Sequence, residues 1–252
     1  MTQKGKHRWG TAWVVAAALI VVSLVVGGHA LAEQPPDAAP SASPTAWHPT
    51  TAARPAPPES SPSGGSATVA DVVATLNTIP VKGRAPKTGY SASGSFWGMW
   101  QSQDGCRTRN RILARDLTDV TYRSPASCVV NTGVLRDPYT GATIDFQYGT
   151  APGQSDAVQI DHVVARANAW VTGAFQWTPA QRSAFANDPL ELLAVGGTVN
   201  QQKGSGDAAT WLPPNKSFRC RYVTIQVAVK AKYGLWMTQA ERDAIAGILA
   251  KC

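Results

Sequence analysis

The chain has 252 residues, with 23 Lys and Arg against 16 Asp and Glu, a formal net charge of +7, and only four histidines and four cysteines. So few histidines argue against a His-rich zinc centre, and the length allows one domain with a sizeable core once the N-terminal segments described next are set aside. The positive balance favours an anionic partner, although solubility or contact with a cell envelope accounts for it equally well.

Lys4, Lys6 and Arg8 precede an apolar run from Ala12 to Val26, and Ala30-Leu31-Ala32 forms a cleavage site before Glu33. This pattern predicts a signal peptide over residues 1–32 and a secreted, extracellular protein; an uncleaved membrane anchor is the alternative. Residues 33–66 are dominated by Pro, Ala, Ser and Thr, including Pro55-Ala56-Pro57-Pro58 and Ser63-Gly64-Gly65-Ser66. They lack the apolar residues to offset their ordering entropy and read as a disordered linker. Trp47 and His48 within it read as incidental. His7, His29 and His48 all precede residue 67, so a folded domain over 67–252 has one imidazole, His162.

That domain carries a net charge of +6 and all four cysteines, Cys106, Cys128, Cys220 and Cys252. In an exported chain an even number implies disulfides. Pairing Cys106 with Cys128 brackets a compact segment, and pairing Cys220 with Cys252 pins the C-terminal residue. A four-cysteine zinc site lacks any C-x-x-C spacing.

Thr68 opens a capped helix with apolar Val69, Val72, Val73 and Leu76, which ends before Pro80. After a Gly-rich passage through Phe96, Trp97 and Trp100, the run from Arg107 to Asp116 is dense in guanidinium groups. Cys128-Val129-Val130 and Ala142 to Phe146 read as strands on either side of the turn Asp137-Pro138-Tyr139-Thr140-Gly141. Val158 to Val164 is a β-branched strand with Asp161 and His162 side by side, hence on opposite faces. Thr178-Pro179-Ala180-Gln181 starts a short helix to about Ala186. Leu190 to Val195 is an apolar run broken by Gly196-Gly197, and Asn200 with Lys203 then shares a helix face at i and i+3. Phe218, Tyr222, Ile225 and Val229 recur at helical spacing, and Thr238 with Glu241 caps a last helix.

A polar pair in an apolar strand costs about 1–3 kcal/mol per group unless it finds partners, so Asp161 and His162 call for an explanation. An aspartate oxygen and the carbonyl oxygen of Asn200 are hard ligands suited to one Mg²⁺ or Mn²⁺, and a neutral His162 beside them can take a proton from water. No G-x-S-x-G elbow accompanies a Ser-His-Asp reading, and Lys203 does not stand in the G-K-[ST] order of a P-loop.

Ile160-Asp161-His162-Val163-Val164, Asn200 with Lys203-Gly204, Asp137-Pro138-Tyr139-Thr140-Gly141, Trp170, Asp188-Pro189-Leu190, Trp211-Leu212-Pro213-Pro214 and Cys220 with Tyr222 together resemble the HNH endonucleases of the ββα-metal type. Within these, the chain is similar to the exported proteins of the DUF1524 kind. The resemblance implies an α+β fold with a ββα-metal (His-Me finger, HNH) core, added helices, a β-hairpin and disulfide staples. It implies a secreted, monomeric phosphodiester hydrolase acting on nucleic acid, DNA more than RNA. Asp161 and Asn200 would bind one divalent metal, Mg²⁺ before Mn²⁺, and His162 would be the general base. Lys203 is expected on a substrate phosphate and Arg109 on the strand-binding groove. Glu191 stands where the pattern has an asparagine, either as a loop brace or as an extra carboxylate near the ion. Two other classes compete. One is a non-catalytic exported module that binds nucleic acid or cell envelope. The other is an envelope hydrolase, which lacks a motif here and for whose paired carboxylates Glu191 and Glu241 stand only by default.

Overall fold

A computed structural model describes residues 68–252. The signal segment 1–32 and linker 33–66 expected from the sequence lie outside the described residues. At Thr68 the capping box forms as read: its side chain accepts from the Asp71 N–H, and its own N–H donates to the Asp71 carboxylate at 2.9 Å. The box starts α1 (Val69–Thr78), which buries Val72 and Leu76.

The architecture is mixed α and β. Among the described residues, β1 (Ser102–Gln103) pairs with β2 (Cys106–Arg107), and α2 (Thr108–Asp116) leads into a three-stranded antiparallel sheet of β3 (Leu117–Tyr122), β4 (Val130–Arg136) and β5 (Thr143–Gln147). The Asp137–Gly141 turn joins β4 to β5 as a hairpin with Arg136 opposite Thr143. Its geometry comes from Asp137, whose carboxylate accepts from the Tyr139 N–H at 3.1 Å and the Thr140 hydroxyl at 2.6 Å, an Asx-type turn.

The second hairpin positions the site. β6 (Val158–His162) runs antiparallel to β7 (Leu192–Gly196), with Asp161 opposite Leu193 and His162 opposite Leu192, and α5 (Gly197–Lys203) follows at once. The passage from β7 to α5 needs glycine. A Cβ on Gly197 would collide with the Asp156 carbonyl oxygen.

Between β6 and β7 the sequence predicts a long insertion with one short helix starting at Thr178. That helix forms as α4 (Pro179–Ala186), and the structure places α3 (Arg166–Val171) and a 3₁₀ turn (Ala174–Gln176) before it, where a loop is expected. α3 escapes a periodicity search because Ala167, Asn168, Ala169, Trp170 and Val171 are all buried, so no polar face alternates with an apolar one. β3 escapes it for the opposite reason: only Leu117 of its six residues is buried.

Two further helices, α6 (Arg219–Lys232) and α7 (Gln239–Leu249), complete the chain, and no helix of the described residues is long and apolar enough to cross a membrane. Strand alternation in the β6–β7 hairpin divides the core. Leu193 and Val195 join α1, α6 and α7 through Leu76, Val223, Val227 and Ile245, whereas Val158, Ile160, Leu192 and Ala194 pack on Ile112, Leu113 and the three-stranded sheet. A third cluster gathers Trp97, Trp170, Phe185 and Val229 around the α3–α4 insertion.

Cys106 is bonded to Cys128, and Cys220 to Cys252. The second bond ties the end of α7 to the first turn of α6 across a sequence separation of 32. A Cys220→Ser/Cys252→Ser double variant is expected to lose about 3–4 kcal/mol in urea unfolding, from the loop entropy returned to the unfolded chain. An unchanged midpoint would show that packing of α6 on α7 alone holds this corner.

Candidate functional site

Strand parity places Gln159 and Asp161 on the face of β6 that meets α5, and the helix answers with two side chains one turn apart. Asn200 Nδ2 donates to Gln159 Oε1 at 3.0 Å, and Lys203 Nζ donates to Asp161 Oδ1 at 2.9 Å. The Asn200 pairing uses its amide nitrogen and leaves Oδ1 without a donor among the described residues.

Asp161 is 5% exposed, and both of its oxygens are engaged. Tyr139 Oη donates to Oδ2 at 2.5 Å, and Lys203 holds Oδ1 while donating also to the carbonyl of His162 at 2.8 Å. Burial raises the Asp161 carboxyl above its ordinary value, and the charge of Lys203 and the hydroxyl of Tyr139 pull it back. Tyr139 is itself fully buried, with its ring edge-on to Trp211 and Tyr222 at centroid distances of 5.1 and 5.7 Å. The Asp137–Gly141 turn and Trp211-Leu212-Pro213-Pro214 therefore serve one purpose, delivering a hydroxyl to Asp161. Asn215 fixes the turn by donating from its N–H to the Tyr139 carbonyl at 2.9 Å and from Nδ2 to the Pro138 carbonyl at 3.0 Å.

His162 points to the other face. Its Nε2 lies 3.1 Å from the carbonyl oxygen of Ala186 at the end of α4, and its ring stacks between Trp100 (5.8 Å, 12°) and Phe185 (6.2 Å, 18°). A carbonyl can only accept, so Nε2 carries the proton and Nδ1 is the free lone pair. Burial, with the charge of Arg166 added to it, lowers the imidazole from 6.5 to about 3. At neutral pH it is therefore an uncharged base with a fixed tautomer.

Asp161, His162 and Asn200 meet at the strand end in a cleft of about 270 Å³, whose lining includes Tyr90, Ala165 and Arg166. Sequence reasoning did not single out Arg166. It is half-buried, lies over the Trp97 ring at 6.0 Å, and makes no ion pair or hydrogen bond among the described residues. It stands four positions after His162 at the start of α3, where the sequence carries no helical period to distinguish it from a surface arginine.

Two expected substrate contacts face elsewhere. Lys203 was expected on a phosphate, but its side chain is 0% exposed and its ammonium serves Asp161 and the His162 carbonyl, because the i+3 position that places Asn200 at the cleft turns Lys203 under it. Arg109 was expected in a strand-binding groove. Its guanidinium donates to the carbonyls of Ser155 (3.1 Å) and Val158 (3.3 Å), which braces the entry to β6. Glu191 is fully buried, and both its oxygens accept from the Val164 N–H at 3.1 and 3.2 Å, directly behind the Asp161-His162 pair. Burial drives its carboxyl well above 4.5, opposed by the Val164 N–H and the charge of Lys203.

As donors, Asp161 and the Asn200 oxygen make a sparse, hard pair that would leave most of a divalent ion's sphere to water, which suits Mg²⁺. Among the described residues no group of three or more His, Cys, Asp or Glu side chains stands together to form a denser site.

Folding of the wild type must take up a proton on Glu191 at any pH above 4.5 and below its raised folded value, so its stability falls as pH rises through that window. Glu191→Gln has no proton to take up. The unfolding free energy of Glu191→Gln relative to wild type, measured in urea, should rise with pH from about 4.5 upward, by up to about 1.4 kcal/mol per pH unit, and be constant below it. A pH-independent difference would mean that Glu191 is ionised in the folded protein.

Residues 107–248 match the family described as GmrSD restriction endonucleases, C-terminal domain. The matched stretch takes in Asp161, His162, Glu191, Asn200 and Lys203 and begins after Tyr90 and Trp100. The chain is also 38% identical over 206 residues to a protein of Arthroderma benhamiae named "Uncharacterized secreted protein", covering 81% of this chain and 94% of the relative. No solved structure matches it.

Proposed function

The chain belongs to the family of GmrSD restriction endonuclease C-terminal domains, and on that premise we propose that it is a secreted, metal-dependent endonuclease of the HNH, DUF1524-like kind that hydrolyses phosphodiester bonds in nucleic acid, DNA in preference to RNA. The observation that carries the reading is the convergence of Asp161, the free Oδ1 of Asn200 and a neutral, tautomer-fixed His162 on one cleft at the end of a strand–strand–helix unit. The succession of β6, β7 and α5 supports reading this unit as a ββα core. Export is supported by the name of the Arthroderma relative and by two disulfides, which suit an oxidising compartment.

Asp161 and Asn200 Oδ1 would hold one divalent ion, Mg²⁺ before Mn²⁺. When bound, such an ion supplies Lewis-acid polarisation of a phosphoryl oxygen and offsets charge developing in the transition state. The protein's own part is positional and acid–base. His162 Nδ1 accepts the proton of the attacking water, and the Ala186 carbonyl, by keeping the proton on Nε2, stabilises the imidazolium that results. Lys203 and Tyr139 hold the Asp161 carboxylate at a single angle to the cleft. Arg166, whose guanidinium makes no hydrogen bond or ion pair among the described residues, meets the phosphate.

Purified protein incubated with single-stranded circular DNA, supercoiled plasmid or RNA should cleave with Mg²⁺ or Mn²⁺ and stop with EDTA. His162→Ala should lower the rate by about 10²–10⁴-fold, and Asn200→Ala should raise the Mg²⁺ concentration needed for half-maximal rate. Undiminished cleavage by His162→Ala would sink the mechanism. A wild type that binds but never cleaves would make the chain a nucleic-acid-binding module with a nuclease-like fold.

A further inference from the structure

A second cleft, of about 250 Å³, adjoins the first and shares Ile160, His162 and Arg166 with it. Its outer wall is the segment from Gly94 to Trp100, which lies before the stretch that matches the family. The cleft is smaller than the ~300–1,000 Å³ typical of pockets that enclose a drug-sized ligand, so it admits one planar ring system and little more.

The wall is built rather than draped. Asn187 grips it from α4 on two sides, accepting from the Gln101 N–H at 2.8 Å and donating to the Met99 carbonyl at 2.9 Å. Gly98, at φ 83, lies so close to Ser183 that no side chain fits between them. Met99 is held at φ 55, a conformation that costs a non-glycine residue free energy, yet its side chain is 61% exposed and no core packing compensates. The strain presents an apolar thioether on the same cleft as the Trp100 indole that already stacks on His162. Arg166 stands where the two clefts meet.

A ligand fitting this arrangement has a flat aromatic body for the indole and thioether and an anion on one side for the guanidinium, within reach of His162. A nucleobase with its phosphate has that shape and charge, and base–indole stacking is tolerant of sequence because every base has a π face. In a duplex both faces of each base are already stacked, so a base enters only from a single strand or after unpairing.

We propose that the cleft walled by Trp97, Met99 and Trp100 is a subsite for one unstacked nucleobase whose phosphate lies on Arg166, so that the enzyme selects single-stranded over duplex DNA. This rests on the nuclease reading of the adjoining cleft, and the test separates the two. In EDTA, a short fluorescent single-stranded oligonucleotide should bind about tenfold tighter than its duplex, and a 2-aminopurine base in it should be quenched on binding. Trp100→Ala should weaken single-strand binding about 5- to 150-fold, the range of one stacking contact, and leave duplex binding unchanged. Trp100→Phe should keep most of the affinity, and it decides the matter with the wild-type quench if Trp100→Ala fails to fold. Equal wild-type affinity for both forms, or an equal loss on both in Trp100→Ala, overturns the subsite. Mg²⁺ is then added to the same mixtures. Selective binding without cleavage would keep the subsite and remove the nuclease, whereas cleavage without selection would do the reverse.

Discussion

The carboxylate of Asp161 sets the terms for the rest of the molecule. A buried charge left without partners costs several kcal/mol, and removing one member of a buried pair typically costs about 3–5 kcal/mol. Asp161 meets that demand with an ammonium from α5 and a phenol from the β4–β5 turn, and each of these needs its own support. The Tyr139 ring occupies a slot made by Trp211, Phe218 and Tyr222, which in turn fixes α6 against the hairpin. Residues scattered from 137 to 222 are thus tied to one oxygen pair.

The two faces of β6 give neighbouring side chains opposite surroundings. Asp161 sits among polar partners that favour its charge, while His162 lies between aromatic rings with one carbonyl as its polar contact, and Arg166 opposes its protonation. Environments that separate the protonation behaviour of adjacent groups are how a site assigns the roles of ligand and base. The alternation of a strand supplies that separation with no insertion between the two residues.

Features whose causes are local were legible in the sequence. The caps at Thr68, Thr178 and Thr238 need only their own residue and the one three positions on, and all three start helices as read. The Asp137–Gly141 turn is similarly local, and the pairing of four cysteines was legible because only three pairings exist. The alternation of Asp161 and His162 and the shared face of Asn200 and Lys203 follow from strand and helix periods, and these residues do converge. What periodicity cannot provide is depth. Lys203 and Asn200 lie on the same helix face, but one is 3% exposed and the other reaches the cleft, a difference set by the distance between α5 and β6. Arg109 and Arg166 look alike in sequence; the carbonyls of Ser155 and Val158 receive the first, whereas among the described residues the second meets only the face of Trp97 and makes no hydrogen bond or ion pair. Glu191 is the instructive departure, because its oxygens meet a backbone N–H as an amide oxygen would.

The folded insertion between β6 and β7 bears on the order of assembly. The contacts that hold the two site-bearing strands in place span residues 163–191: α4 delivers Ala186 to His162, and Glu191 reaches Val164. Contacts of such sequence separation are entropically late, because chain closure precedes the contacts that reward it. Lys203 comes later still along the chain, and until it arrives Asp161 resists leaving water. The hairpin therefore has its full set of partners only when helix, turn and insertion are all in place, so that loss of any one of them takes the working cleft with it.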